Sequence, residues 1–224
     1  MTGIEITVEG GSTAVGLFAF GLAFATIVVG VWIALVAYRG YRRSGERSVL
    51  FLAVGIALAS TVRTSASIVF STAGASSVVT NAVAVSSQFA GLVLILYAIY
   101  GRPERHGGRA VAAAVLGGLL TLIVPFVVID TFGPNESLVE AGLNGLPAIV
   151  GAFVTIQAYR GYRRYGQRPM LLLAVGLGLL TVGSFGTITG LYVLTTVSDA
   201  GALVVIGSVE LGGLLAILRS LTRE

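Results

Sequence analysis

Two charged residues of this chain stand inside long apolar runs: Arg63 and Glu210. A guanidinium or carboxylate in hydrocarbon costs at least ~2.5–3.5 kcal/mol on insertion scales, so such groups pair, line a wetted cavity or carry a proton. Counted from the outer ends of their segments, Arg63 is about eight residues deep and Glu210 about nine. With a rise of about 1.5 Å per residue the two depths agree to within a turn. The spacing therefore predicts an ion pair between distant parts of the chain. Two chemistries are open to it. One is a structural clasp. The other is a substrate or proton site lined by Ser60, Thr61, Thr64, Ser65 and Gln88.

A second cluster, Tyr38, Arg39, Tyr41, Arg42 and Arg43, recurs as Tyr159, Arg160, Tyr162, Arg163 and Arg164. Tyr rings settle at the headgroup level while Arg reaches for phosphate, so anchoring explains both residue types; a specific anionic-lipid or ligand site is the alternative. His106 sits among Arg102, Arg105 and Arg109 and reads as a solvated residue. Asn135-Glu136-Ser137 has the form of a glycosylation acceptor in an outer loop. Gly186 and Gly190 form a GxxxG, and Gly21 with Ala25 a small-xxx-small pair, patterns that let helices approach closely. Pro125 and Pro147 fall inside apolar segments as kinks or a hinge. No Ser/His/Asp set, paired catalytic carboxylates or phosphate loop can be assembled, so no enzyme is expected. With one His and no Cys, neither a metal centre nor a disulfide is expected, and no cofactor is implied.

The elements that position these residues follow from composition. Of 224 residues, 55% are hydrophobic and 11% charged, against roughly 25% charged in a soluble domain. That few charges cannot cover a soluble surface. Seven stretches are long and apolar enough to span a core of about 30 Å: about 14–37, 49–71, 79–100, 110–130, 139–158, 170–193 and 201–219. All 14 basic residues are Arg. A retinal Schiff base needs a Lys, so a seven-helix rhodopsin is excluded. With the N-terminus outside, thirteen of the fourteen Arg fall in the inner segments 38–48, 101–109, 159–169 and the C-terminal tail. The outer segments hold Glu5, Glu9, Asp130, Glu136, Glu140 and Asp199. This bias predicts an N-out, C-in chain, with the first helix a permanent span rather than a cleaved leader.

An internal repeat organises the spans. AYRGYRRSGERSVLFLAVGIAL at 37–58 matches AYRGYRRYGQRPMLLLAVGLGL at 158–179, with 15 of 22 positions identical at an offset of 121. A weaker match pairs QFAGLVLIL from Gln88 with ELGGLLAIL from Glu210, at an offset of 122. The expected fold is an all-α membrane protein in which two parallel three-helix units, 1–101 and 135–224, are joined by a linker helix and its flanks at 102–134. One extra crossing lets the second unit insert in the same orientation as the first. At these offsets Ser184 answers to Arg63 and Gln88 to Glu210, so the counterpart of the ion pair is a Ser184–Gln88 hydrogen bond.

The AYRGYRR-x-G-x-R motif, followed by an LAVG-type helix start, resembles a group of small haloarchaeal multi-pass membrane proteins of unknown function. Those resemble one three-helix unit, so this chain resembles a tandem version. The resemblance implies no activity. The 3+1+3 plan is similar in architecture alone to the SWEET sugar transporters; the Pro-Gln loop signature is absent. The expected role is a non-enzymatic structural, accessory or signalling module of the cytoplasmic membrane, the alternative a small-solute or proton-coupled transporter. Membrane lipids, with anionic headgroups on the inner face, are the expected partners, and a second copy of the chain is left open. Nucleic acid is not expected: the +4 net charge is spread along membrane ends rather than gathered in a patch.

Overall fold

A chain in hydrocarbon has no water to satisfy its backbone, so the N–H and C=O groups must close on one another within helices. In the computed structural model of the protein the described residues are 13–100, 103–132, 136–194 and 199–222, and among them there is no strand. Seven helices follow in order: α1 (Thr13–Ser44), α2 (Arg47–Thr72), α3 (Ser77–Tyr100), α4 (Pro103–Phe132), α5 (Glu136–Tyr165), α6 (168–194) and α7 (Asp199–Thr222). Among the described residues, α1–α4, α6 and α7 are long and apolar enough to cross a membrane. α5 has 30 residues, among them Asn144 and Pro147. The protein is a multi-pass membrane protein.

The helices run further than the apolar stretches suggest. The AYRGYRR segments, expected in connecting loops, are instead the closing turns of α1 and α5. Arg in a last turn complements the negative end of the helix dipole, and its long stem lets the helix extend beyond the hydrocarbon. The turns that follow are very short. Gly45 and Gly166 take φ of +71° and +67°, and their N–H groups donate to the carbonyls of Tyr41 and Tyr162, each at 2.7 Å. Glycine is the residue that ends a helix this way without strain. The readings of His106's side chain and of Asn135 fall outside the described residues.

Six helices close into a ring. α1 packs on α2, α2 on α3, α3 on α5, α5 on α6, α6 on α7, and α7 back on α1, while α4 lies outside against α3. The ring encloses one apolar core: Ile33 from α1, Ile56 from α2, Leu92 and Ile95 from α3, Val154 from α5, Leu177 and Leu180 from α6, Leu214 and Ile217 from α7. The core repeats the sequence offset: Ile33 with Val154 and Ile56 with Leu177 are 121 apart, Leu92 with Leu214 and Ile95 with Ile217 are 122 apart.

Close crossings are made by glycines other than those of the expected motifs. A Cβ on Gly55 would lie 2.7 Å from the Gly91 carbonyl oxygen, and one on Gly176 would lie 2.6 Å from that of Gly213. Gly30 and Gly151 in turn meet Thr61 and Thr181 where the first and second helices of each half cross. By contrast a Cβ on Gly21, Gly186 or Gly190 would meet nothing within 4 Å among the described residues, so these glycines make no close crossing there. A GxxxG spacing marks a smooth helix face but does not say which neighbour meets it. Pro125 and Pro147 are buried inside α4 and α5, both of which continue past them. Gly55→Val is expected to lower the thermal unfolding temperature in detergent, by the equivalent of roughly 1–3 kcal/mol of overpacking; Gly186→Val in the same assay is expected to leave it unchanged.

Candidate functional site

α2 and α6 are each interrupted by a π turn, Ala57–Val62 in α2 and Leu179–Gly183 in α6. Both helices continue beyond it, so α2 runs unbroken past Ser60 to Thr72. A π turn widens the helix by one residue and releases carbonyls from the regular ladder, and such turns gather at functional positions. The polar side chains of the ring interior collect beside these turns, on the side away from the arginine-bearing ends.

Arg63 is the first residue after the α2 π turn. Its Nη1 donates to Glu210 Oε1 of α7, an ion pair between positions 147 residues apart. The two side chains are only 19% and 10% exposed, so the pair is largely shut off from its surroundings. The Nε of Arg63 is buried and has no hydrogen-bond partner among the described residues. Beside it lies a cavity of about 10 Å³, lined among others by Arg63, Gln88, Asn144, Thr181 and Ser184. That is room for one water molecule.

The counterpart contact takes a different form from a direct Ser184–Gln88 bond. Gln88 Nε2 donates across the ring to the carbonyl of Leu180, at 3.4 Å. The Ser184 hydroxyl turns to its own helix and donates to the Leu179 carbonyl at 3.1 Å. Both acceptors belong to the α6 π turn, and the Leu179 carbonyl also takes the backbone N–H of Ser184, so the widened turn rather than the facing side chain receives the two donors. Sequence periodicity carries no sign of a π turn, so the bond partner could not be read from spacing.

The expected lining is also redrawn. Of Ser60, Thr61, Thr64, Ser65 and Gln88, only Gln88 faces the cavity. Ser60 is buried with its hydroxyl donating to the Ile56 carbonyl at 2.7 Å, and Thr64 is half-buried outside the lining. Their places are taken by Asn144 and Pro147 of α5 and by Thr181 of α6. Asn144 and Pro147 stand out in the sequence as the breaks in an otherwise apolar fifth span, the signal that could have placed them.

The tyrosine–arginine clusters lie far from this site, at the closing turns of α1 and α5. Tyr38 and Tyr41 have ring centroids 6.2 Å apart at 42°, and Tyr159 and Tyr162 are 6.2 Å apart at 41°. Arg39, Arg42, Arg43, Arg160, Arg163 and Arg164 are exposed. The two clusters thus have the same local geometry at the ends of two different helices.

The model of a family of unknown function (DUF7521) matches the chain twice, over residues 19–100 and 140–222, together well over half of it. The chain belongs to that family. The two matched stretches hold α3 with Gln88 and α7 with Glu210, and leave the whole of α4 outside. No curated protein and no solved structure matches the chain.

Gln88→Leu keeps the volume and removes the donor to Leu180. It is expected to destabilise the protein by about 0.6–1.7 kcal/mol, the range for interhelical hydrogen bonds in membranes, read as a fall in unfolding temperature; Gln88→Glu tests whether a charge is tolerated there.

Proposed function

We propose that this protein is a non-enzymatic structural or accessory module of the cytoplasmic membrane, built from two parallel three-helix units that the Arg63–Glu210 pair locks together. The observation that carries this reading is that pair, set above a core filled by apolar side chains from all six ring helices. A charge pair in such a place is costly to form, yet breaking it by removing one partner costs more than never having had it. It therefore fixes one arrangement of the units against the alternatives that two halves of similar shape allow. The adjoining cavity, with room for a single water, supports a locked interface over a solute passage.

In this reading the units, 1–101 and 135–224, are joined by α4, with the N-terminus outside and the C-terminus inside. Anionic headgroups on the inner face are the partners of the Tyr38–Arg43 and Tyr159–Arg164 clusters. A second reading, a proton or small-solute carrier, is favoured by the unpartnered Arg63 Nε and by the π turns that flank the polar cavity.

A double-mutant cycle separates the two. Under the clasp, Arg63→Ala and Glu210→Ala each lower stability by up to about 3–5 kcal/mol, and the double variant is no worse than either single one. Singles with unchanged or raised unfolding temperature overturn the clasp and turn attention to proton flux in liposomes. Orientation has its own test, made clean by the absence of native Cys. Ser44→Cys is expected to react with a membrane-impermeant maleimide only from the inner side, and Ser76→Cys only from the outer side.

A further inference from the structure

α4 packs extensively on α3 and only slightly on α2. It meets α3 midway, where Gly117 faces the Phe89 ring and the Ser86 hydroxyl donates to the Gly118 carbonyl at 2.6 Å. Nearer the arginine-bearing end, Gly107 meets the ring of Phe51 on α2. Between α2, α3 and α4 a groove of about 700 Å³ stays open, walled by Phe51, Val54 and Leu58, by Leu94, and by Val115 and Leu119 among others.

Three properties define what fits it. First, the walls are almost wholly apolar and offer no free hydroxyl donor: Ser86 and Ser87 lie in the lining, but both donate to backbone carbonyls, of Gly118 and Ala84. The occupant is hydrocarbon. Second, the groove runs along α4 from Val111 to Leu122, about 16 Å at about 1.5 Å per residue. That is close to half of a core about 30 Å thick, the depth of one leaflet. Third, Arg47 stands three and four residues before Leu50 and Phe51, on the same face of α2, and is exposed at the groove's arginine-side mouth.

We propose that this groove binds one hydrocarbon tail of an anionic membrane lipid from the arginine-side leaflet, with the lipid headgroup held at Arg47. The second half of the chain supplies the contrast. Arg168 and Val175 occupy the positions of Arg47 and Val54 at the offset of 121. Val54 and Val175 are similarly exposed, at 42% and 46%. Yet α4 packs along α3 and not along α7, so the second half lacks the opposite wall. The site goes beyond headgroup anchoring by the tyrosine–arginine clusters, because it grips a tail and exists on one half only.

The test is native mass spectrometry of the full chain in detergent, titrated with palmitoyl-oleoyl phosphatidylglycerol or with the phosphatidylcholine of the same tails. Wild type is expected to retain one phosphatidylglycerol more tightly than any phosphatidylcholine. Val54→Trp or Val115→Trp, each placing bulk in the groove from an exposed position, is expected to lose that adduct, while Val175→Trp keeps it. Arg47→Gln is expected to weaken phosphatidylglycerol about fivefold, the worth of one surface arginine against an anionic headgroup, and Arg168→Gln to leave it unchanged. Equal effects of Val54→Trp and Val175→Trp, or of Arg47→Gln and Arg168→Gln, overturn the proposal in favour of an unspecific lipid shell. A dimer that Val54→Trp dissociates overturns it in favour of a second copy as the occupant.

Discussion

A guanidinium in hydrocarbon needs an acceptor within reach, and the position of Glu210 decides which one Arg63 finds. The contact crosses the ring from α2 to α7, between helices that share little backbone packing, so it acts on how opposite sides of the ring are placed. On the other side the corresponding position holds Gln88, and its amide reaches a carbonyl rather than a charge. The same ring position thus carries once a carboxylate in an ion pair and once an amide bonded to a backbone carbonyl. A symmetric pair of buried charges would double the desolvation cost, whereas one charged and one neutral contact distinguish the halves.

The polar layer depends in turn on the glycine crossings. Gly55 against Gly91 and Gly176 against Gly213 bring the second and third helices of each half to backbone contact. In membranes, where lipid tails are as apolar as Leu, association rests on such tight packing and on interhelical hydrogen bonds. The apolar core from Ile33 to Ile217 fills the arginine-side half of the ring. The π turns follow, where the first helix of each half presses Gly30 or Gly151 onto the second. Tight packing on the third helix and a π turn where the first helix crosses are thus neighbouring features of α2 and of α6 alike.

The linker helix adds the strongest departure from symmetry. Its apolar face is largely exposed, with Leu116, Leu120 and Val127 each more than half exposed, as suits a helix whose outer side meets lipid. It touches the ring at Gly107, Gly117 and Gly118, so its fit comes from small residues and leaves a groove where the neighbouring side chains are larger. A helix that packs on α3 and not on α7 has thereby given the two matched stretches different outer surfaces.

Composition and periodicity by themselves determined that this is an all-helical, multi-pass chain with a duplicated pattern, because apolar length and the cost of charge in hydrocarbon act locally along the sequence. They also singled out Arg63 and Glu210, since a charge in an apolar run is visible without any partner. The helical state of AYRGYRR was not legible: segments rich in Arg and Tyr read as interface, and only the helix ahead of them shows that the same turn continues. Which glycines carry the crossings, that Gln88 meets Leu180 rather than Ser184, and that Asn144 and Thr181 rather than Ser60 and Thr64 face the cavity were decided by the tertiary structure. Each depends on the rotation of one helix against its neighbour and on π turns that shift the face by part of a turn. Those are set by packing between segments far apart in the chain, which one-dimensional spacing does not encode.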